Sequence, residues 1–262
     1  MENYIKKGDC LELMKEIPDK SIDLILCDLP YETLNGFAWD KNLDSKLMWE
    51  QYKRIIKDDG IICLFAMQPY TSLLIASNLE MYRYNWIWKK DSATGFLNAN
   101  YKPLGITEDI CVFSNGTVGS LSSSPIRYYP QGLIELNALR KNNPNSNWRK
   151  NKGYSEKTNK LNSDEEFIQK YTNYPTNILE FERDRCIHHP TQKPTTLLEY
   201  LIQTYTKEGE VVLDNCMGSG STIIACINTN RKYIGFELND EYFSTAEKRI
   251  ENRLKNPTLF DI

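Results

Sequence analysis

"EVVLDNCMGSGST", Glu210 to Thr222, reads as a strand that runs into a glycine-rich turn and then a helix. The apolar run is short and bounded by turn residues, the signature of a buried strand. It ends at Asp214. Gly218 and Gly220 then permit a tight turn, and their missing β-carbons let a ligand approach the backbone. "TIIACINT" continues as a helix, and "KYIGFEL" (Lys232 to Leu238) is the next strand. Its Glu237 falls where, about 20 residues after such a turn, an acid accepts hydrogen bonds from ribose hydroxyls. A turn that merely eases packing would account for the glycines but not for that acid. Strand, turn, helix and strand make a βαβ unit, closed by the amphipathic helix "EYFSTAEKRIENRLK" (Glu241 to Lys255).

The turn is not a nucleoside triphosphate loop, because no lysine follows its second glycine. It also departs from G-x-G-x-x-G. A carboxylate at Asp214 would repel a pyrophosphate and suits a cation, so a sulfonium or ammonium group fits better.

Upstream, "SIDLILC" (Ser21 to Cys27) reads as a buried strand, "LMWEQYKRIIK" from Leu47 as a helix stopped by "DDG" at Asp58 to Gly60, and "IICLFA" (Ile61 to Ala66) as a strand. Gln68-Pro69 turns into a helix reaching about Leu79, and "YNWIWKK" (Tyr84 to Lys90) and "EDICVFS" (Glu108 to Ser114) are strand-like. "TTLLEYLIQTYT" (Thr195 to Thr206) is a helix opened by Pro194. These patterns predict an α/β fold, Rossmann-like, with a mostly parallel sheet and helices on both faces. From Gly116 to about Lys160 the chain instead turns polar, with cations interleaved with aromatics. Such a stretch is too long for a simple connection.

The first strand ends in "DLPY" (Asp28, Leu29, Pro30, Tyr31). In open α/β sheets ligands bind at the carboxyl ends of strands. Asp28 and the Leu29 carbonyl are two hydrogen-bond acceptors, Pro30 stiffens the turn, and Tyr31 offers a flat face. Together they suit a planar substrate bearing an NH₂ group. An Asx-Pro turn with a packing tyrosine is the alternative.

The 262 residues suffice for one α/β domain with a smaller lobe, and a net charge of −3 means that any nucleic-acid site must be local. The seven cysteines are dispersed without a C-x-x-C pair, so a reducing cytoplasm is expected and a zinc site is not. His188 and His189 are the only histidines, which argues against a His-centred triad. No apolar run is long enough for a membrane helix or a signal peptide.

"GDCLELMKEIPDKSIDLILCDLPY" (Gly8 to Tyr31), "TEDICVFSNG" (Thr107 to Gly116), "HPTQKPTTLLEYLI" (His189 to Ile202) and the stretch from "VVLDNCMGSGST" through "GFELNDEYFSTAEKRI" (to Ile250) occur in this order. The set resembles the amino-group DNA methyltransferases of the beta arrangement, a circular permutation of the usual methyltransferase order. The resemblance implies S-adenosyl-L-methionine as cofactor, double-stranded DNA as substrate, and methylation of adenine N6 in an extruded base. It implies that Asp28, the Leu29 carbonyl, Pro30 and Tyr31 hold the base. Asp214, Gly218, Ser219, Gly220, Ser221, Thr222 and Glu237 would line the cofactor pocket, with Asp28 at its border. Asp9 and Cys10 match the segment that meets the cofactor's adenine, and Lys193 the residue near its methionine carboxylate. Leu29 departs from the family, which usually has proline there. On this reading residues 1–115 are the catalytic half, 116–187 a target-recognition insert and 188–262 the cofactor half. Arg127, Arg140, Lys141, Arg149 and Lys150 are the candidate DNA contacts. A homodimer and a cognate restriction endonuclease are partners that the resemblance admits. Cytosine-N4, RNA or a protein amide are the alternative targets.

Overall fold

Strand β2 (Ile22–Asp28) is in the middle of the main sheet: every residue but the last is buried. A strand covered on both faces must be apolar almost throughout, as this one is. The computed structural model describes residues 2–30, 43–119, 122–141, 166–184 and 192–256. In chain order the remaining strands are β1 (Tyr4–Lys7), β3 (Ile56–Ala66), β4 (Tyr82–Thr94), β5 (Gly105–Ser114), β6 (Ile134–Lys141), β7 (Glu166–Thr172), β8 (Ile178–Glu180), β9 (Val211–Asp214) and β10 (Lys232–Glu237). The helices are α1 (Cys10–Met14), α2 (Ser45–Ile55), α3 (Tyr70–Ser77), α4 (Thr195–Tyr205), α5 (Ser221–Asn228) and α6 (Asp240–Lys255).

Eight of the described strands form one sheet in the order β1-β10-β9-β2-β3-β5-β4-β8. All neighbours are parallel except across β5, which runs against both β3 and β4. From β9 the chain crosses through α5 to β10 on one side, and from β2 it crosses through α2 to β3 on the other. The crevice between β9 and β2 is therefore the topological switch point, where open α/β sheets bind their ligands.

Alternation along the strands divides the core into two layers. Ile25 and Cys27 pack with Met14, Trp49, Tyr52, Leu64, Phe113 and Phe236. Leu24 and Leu26 pack with Cys63, Phe65, Trp86, Leu197, Ile223 and Ala246 on the other face. This is the Rossmann-like α/β fold expected from the sequence.

Several boundaries move. Helix α2 stops at Ile55 and β3 begins at Ile56, ahead of the "DDG" stop. Strands β4 and β5 both extend past their apolar runs, pairing out to Thr94 and Gly105. β1 was not foreseen: its four residues include two lysines, and it earns its place only by pairing with β10.

The chain divides into one unit of Met1–Tyr129 and Asn177–Ile262 and a second of Pro130–Thr176. The insert expected over 116–187 is thus trimmed at both ends. Tyr129 donates its N–H to the Thr204 carbonyl, and β8 joins the sheet beside β4. In the second unit β6 and β7 pair antiparallel.

Arg127, expected among the DNA-contacting cations, belongs to the sheet unit and works elsewhere. Its guanidinium contacts Asp59 twice (2.7 and 2.9 Å), Asp23 (2.9 Å) and Glu210 (2.9 Å). Asp23 is fully buried at the amino end of β2 and also takes Lys57 and the Val211 N–H. That edge of the sheet is the one opposite Asp28. Arg127→Ala leaves this buried carboxylate cluster short of a cation. It should destabilise the protein by about 3 kcal/mol in denaturant unfolding, with little change in DNA affinity.

Candidate active site

The carboxyl ends of β1, β10, β9, β2 and β3 share one edge, and the turns that follow them build the site. Met217 donates its N–H to the Phe236 carbonyl (2.9 Å) and Gly220 to the Met217 carbonyl (2.8 Å), folding the chain over β10 before α5 starts. Gly218 and Gly220 both have positive φ (52° and 82°), the left-handed conformation that favours glycine. A β-carbon on Gly220 would also come within 3.1 Å of the Ala246 side chain on α6.

Glu237 closes this turn from below. Its carboxylate accepts from the Gly218 N–H (2.8 Å) and the Asn239 N–H (2.7 Å). Burial nevertheless raises its pKa, against these hydrogen bonds. Asp214 is buried at the end of β9 and caps the turn by accepting from the Cys216 N–H (3.1 Å). Burial raises its pKa to about 6; hydrogen bonds from Thr222, the Cys216 N–H and Cys27 oppose the rise, and the charge of Asp28 adds to it. An acid held this way gains from a cation placed beside it.

Of the other expected cofactor residues, Asp9 caps α1 by accepting from the Leu11 N–H (2.8 Å), directly after Gly8 donates to the Glu237 carbonyl (2.9 Å). Ser219 and Ser221 are taken up by Arg249, whose Nη1 donates to both hydroxyls and to the Ser219 carbonyl. Cys10, Cys27 and Cys216 approach one another at the strand ends. Burial pushes the Cys27 thiol up to about 12, so it stays protonated and packs as a small hydrophobe.

Asp28 lies on the strand next to Asp214. The register pairs Leu24 with Val212 and Ile25 with Leu213. Asp214 therefore sits level with Leu26, and the two acids have Cα atoms roughly 8 Å apart by sheet geometry. Leu29, in place of the family's proline, is 2% exposed, so its side chain is anchored in the core and supplies the restraint a ring would give. Pro30 follows, half-buried. Tyr31, Arg149 and Lys150 lie outside the described residues, as do His188 and His189.

Lys193 is where the structure adds most. It is 8% exposed, and its Nζ lies 2.5 Å from Asp28 Oδ2 and 2.8 Å from Glu108 Oε1. Burial opposes its charge, but the two carboxylates outweigh this and hold it protonated. Glu108, 5% exposed, also meets Lys90 (2.8 Å); burial works against its carboxylate, and the two lysines more than compensate. Beside Lys193, Gln192 accepts from the Ser219 hydroxyl (3.5 Å). One short segment thus ties the "DLPY" end of β2 to the glycine turn after β9. In this structure Lys193 grips Asp28.

Three contributors were not singled out from the sequence. Glu108 and Lys90 arrive from β5 and β4. Asn215, fully buried after β9, accepts from the Tyr52 hydroxyl (2.6 Å) and donates towards Cys216 (3.4 Å) and Cys10 (3.6 Å). It ties the β9 turn to the turn after β1. An asparagine at a strand end is a visible cue, but its partner Tyr52 lies on α2.

The carboxyl edge of the sheet thus brings together a buried acceptor (Glu237), a buried acid suited to a cation (Asp214) and, beside them, an oriented carboxylate (Asp28). Known proteins resemble this chain in sequence and fold. The type II methyltransferase M.HpaI of Haemophilus parainfluenzae is 27% identical over 266 residues, covering 96% of this chain and 75% of the relative. The DNA adenine methyltransferase YhdJ of Escherichia coli (strain K12) is 27% identical over 266 residues, covering 93% and 81%. Among solved structures, the cytosine-N4-specific PvuII DNA methyltransferase superposes with a TM-score of 0.65 at 16% identity over 97% of this chain and 93% of that one. A complex of M1.HpyAVI with SAM gives 0.61 at 21% identity over 95% and 99%. The DNA methylase family pattern matches residues 22–248, from the first residue of β2 well into α6. Both the acceptor strand and the glycine turn lie inside that span, and the chain belongs to the DNA methylase family.

Proposed function

We propose that the protein is a site-specific DNA methyltransferase that modifies the exocyclic N6 amine of adenine. The observation that carries this reading is the meeting of Asp28 and Asp214 on neighbouring strands at the switch point of the sheet. Asp214, the Gly218–Gly220 turn and Glu237 would hold S-adenosylmethionine, which would supply an electrophilic methyl group. The target base is extruded from the duplex, since its amine cannot reach the site from within the stack. Asp28 and the Leu29 carbonyl accept the two amino hydrogens, and Tyr31 stacks on the ring. Accepting both hydrogens draws the nitrogen towards tetrahedral geometry and frees its lone pair for attack; the methylated nitrogen then releases one of its two hydrogens as a proton, to Asp28 or through it to water. The chain's work is chiefly positioning, worth roughly 7–11 kcal/mol in well-oriented systems. An aspartate at the first motif position accords with adenine, as does the relative named a DNA adenine methyltransferase.

The deciding experiment incubates the protein with unmethylated genomic DNA and S-adenosylmethionine, then digests the product to nucleosides. N6-methyladenine is expected. N4-methylcytosine would move the target to cytosine, and an unmodified digest would overturn the reading.

Asp214 gives this site a pH signature. Its pKa is raised to about 6. Without ligand, the folded state holds this proton more tightly than the unfolded chain. The residue's contribution to stability therefore falls as pH rises from about 4 through about 6. A bound cation reverses the preference. S-adenosylmethionine affinity should weaken by up to about tenfold per pH unit as pH falls below about 6, as calorimetry at several pH values would show. Asp214→Asn should flatten that dependence.

The unit Pro130–Thr176 is the proposed target-recognition element. On its β6–β7 pair Arg140 is exposed, with Nε donating to Gln169 (3.1 Å), and Lys170 is exposed on β7; Lys141 closes β6. Arg149 and Lys150 complete the set from the sequence. If four or so of these cations meet phosphates, DNA affinity should fall on the order of 100-fold between about 50 and 200 mM salt. A restriction endonuclease of the same sequence specificity is the expected biological partner.

A further inference from the structure

We propose that Glu108, backed by Lys90, is a positioning residue for methyl transfer: it shares the ammonium of Lys193, so that Lys193 orients Asp28 without quenching it. The inference rests on the reading of Asp28 as the acceptor for the target amine. Four charged groups alternate in sign across the carboxyl edge of the sheet: Asp28, Lys193, Glu108 and Lys90, linked at 2.5, 2.8 and 2.8 Å. Glu108 and Lys193 are buried, and the Lys90 side chain is largely covered. Aromatic rings confine both ammonium groups, Phe65 at 5.0 Å from Lys193 and Trp88 at 5.3 Å from Lys90.

The antiparallel course of β5 makes this possible. Register pairs Ala66 with Asp109 and Trp88 with Glu108. The beginning of β5 therefore comes to the same edge at which β2 and β3 end. A parallel strand in that place would send its first residues to the far side.

The chemistry explains why the sharing matters. As the methyl group is transferred, positive charge develops on the amine nitrogen. An acceptor carboxylate that stays negative stabilises that charge. A buried lysine paired with Asp28 alone would cancel its charge and leave the positive charge developing on the nitrogen unopposed. With Glu108 on its other side, Lys193 fixes the orientation of Asp28 through Oδ2 while its own charge is balanced. A buried ammonium is tolerated only when its charge is compensated, and Glu108 Oε1, 2.8 Å away as an ion-pair partner, adds that compensation.

The test is E108Q, which keeps size and removes charge. It is compared with K193M, with the double variant E108Q/K193M, and with E108D, which restores the charge. Methyl transfer to unmethylated genomic DNA is followed at saturating DNA and cofactor, and S-adenosylmethionine binding is measured by calorimetry. E108Q should lower kcat roughly 100-fold, the scale of a misplaced reacting group, with cofactor affinity within about threefold of wild type. E108D should recover most of the rate. The double variant should be no slower than the worse single variant, because both substitutions break one chain of contacts. An E108Q rate within about twofold of wild type, or losses that multiply in the double variant, would overturn the inference. If E108Q fails to bind the cofactor, E108D and K193M carry the test: E108D as slow as K193M, each with cofactor binding intact, overturns it. A wild-type protein that binds S-adenosylmethionine but methylates no DNA sinks the functional reading instead.

Discussion

Asp28→Ala should lower kcat by roughly 10²–10⁴-fold while S-adenosylmethionine still binds. The range is that of removing a positioned group which accepts a reacting proton or stabilises developing charge. The structure separates the two effects. Asp28 stands at the end of β2, whereas the Gly218 turn and Glu237 belong to β9, β10 and the segment between them. Removing the carboxylate leaves that side of the site whole. It also strips buried Lys193 of its Asp28 partner, with Glu108 remaining at 2.8 Å. A loss of stability of about 3 kcal/mol should therefore accompany the loss of rate, since breaking a buried pair leaves charge uncompensated. Asp28→Asn, which keeps the shape, should lose the rate with less of the stability. Measuring single-turnover methylation beside cofactor calorimetry and urea unfolding resolves all three. Normal methylation by either variant would remove Asp28 from the chemistry.

Glu237→Ala should weaken S-adenosylmethionine binding by at least about 100-fold. The carboxylate supports two backbone N–H groups, those of Gly218 and Asn239. It is also the acceptor assigned to the ribose hydroxyls on the reading proposed above. A hydrogen bond to a charged group contributes about 1.5–3 kcal/mol. Truncation loses the ligand's bonds and unfastens the turn at the residue where φ is 52°. Calorimetric titration with S-adenosylmethionine, and with a ribose-modified analogue as comparison, checks this. If Glu237→Ala binds both as the wild type does, the cofactor does not rest on this acid.

What the sequence displayed, and what it hid, follows from how far apart the interacting groups lie. The turn from Asp214 to Thr222 was legible because strand end, left-handed glycines and helix start are local backbone events. Asp28 was legible because a proline after an acid marks a strand end. Glu108 was not: it sits in "EDICVFS", an ordinary alternating strand, and takes on its role only because β5 runs antiparallel. Arg127 misled for a related reason. It stands in a polar segment among other cations, and only the fold reveals that Asp23, Asp59 and Glu210 await it. The β6–β7 pair lies in a stretch whose polar composition hid its strands.

Strand β2 carries an acid near each end, Asp23 fastened by Arg127 and Lys57 and Asp28 gripped by Lys193. Four residues lie between them, and Leu24, Ile25, Leu26 and Cys27 alternate between the two core layers. The strand is in effect a ruler: one acid is a rivet for the scaffold, the other a tool for the substrate. Adding or deleting a single residue between Leu24 and Cys27 would leave one of the two in the wrong layer. The length of this strand is therefore held from both ends at once, by folding at one and by chemistry at the other.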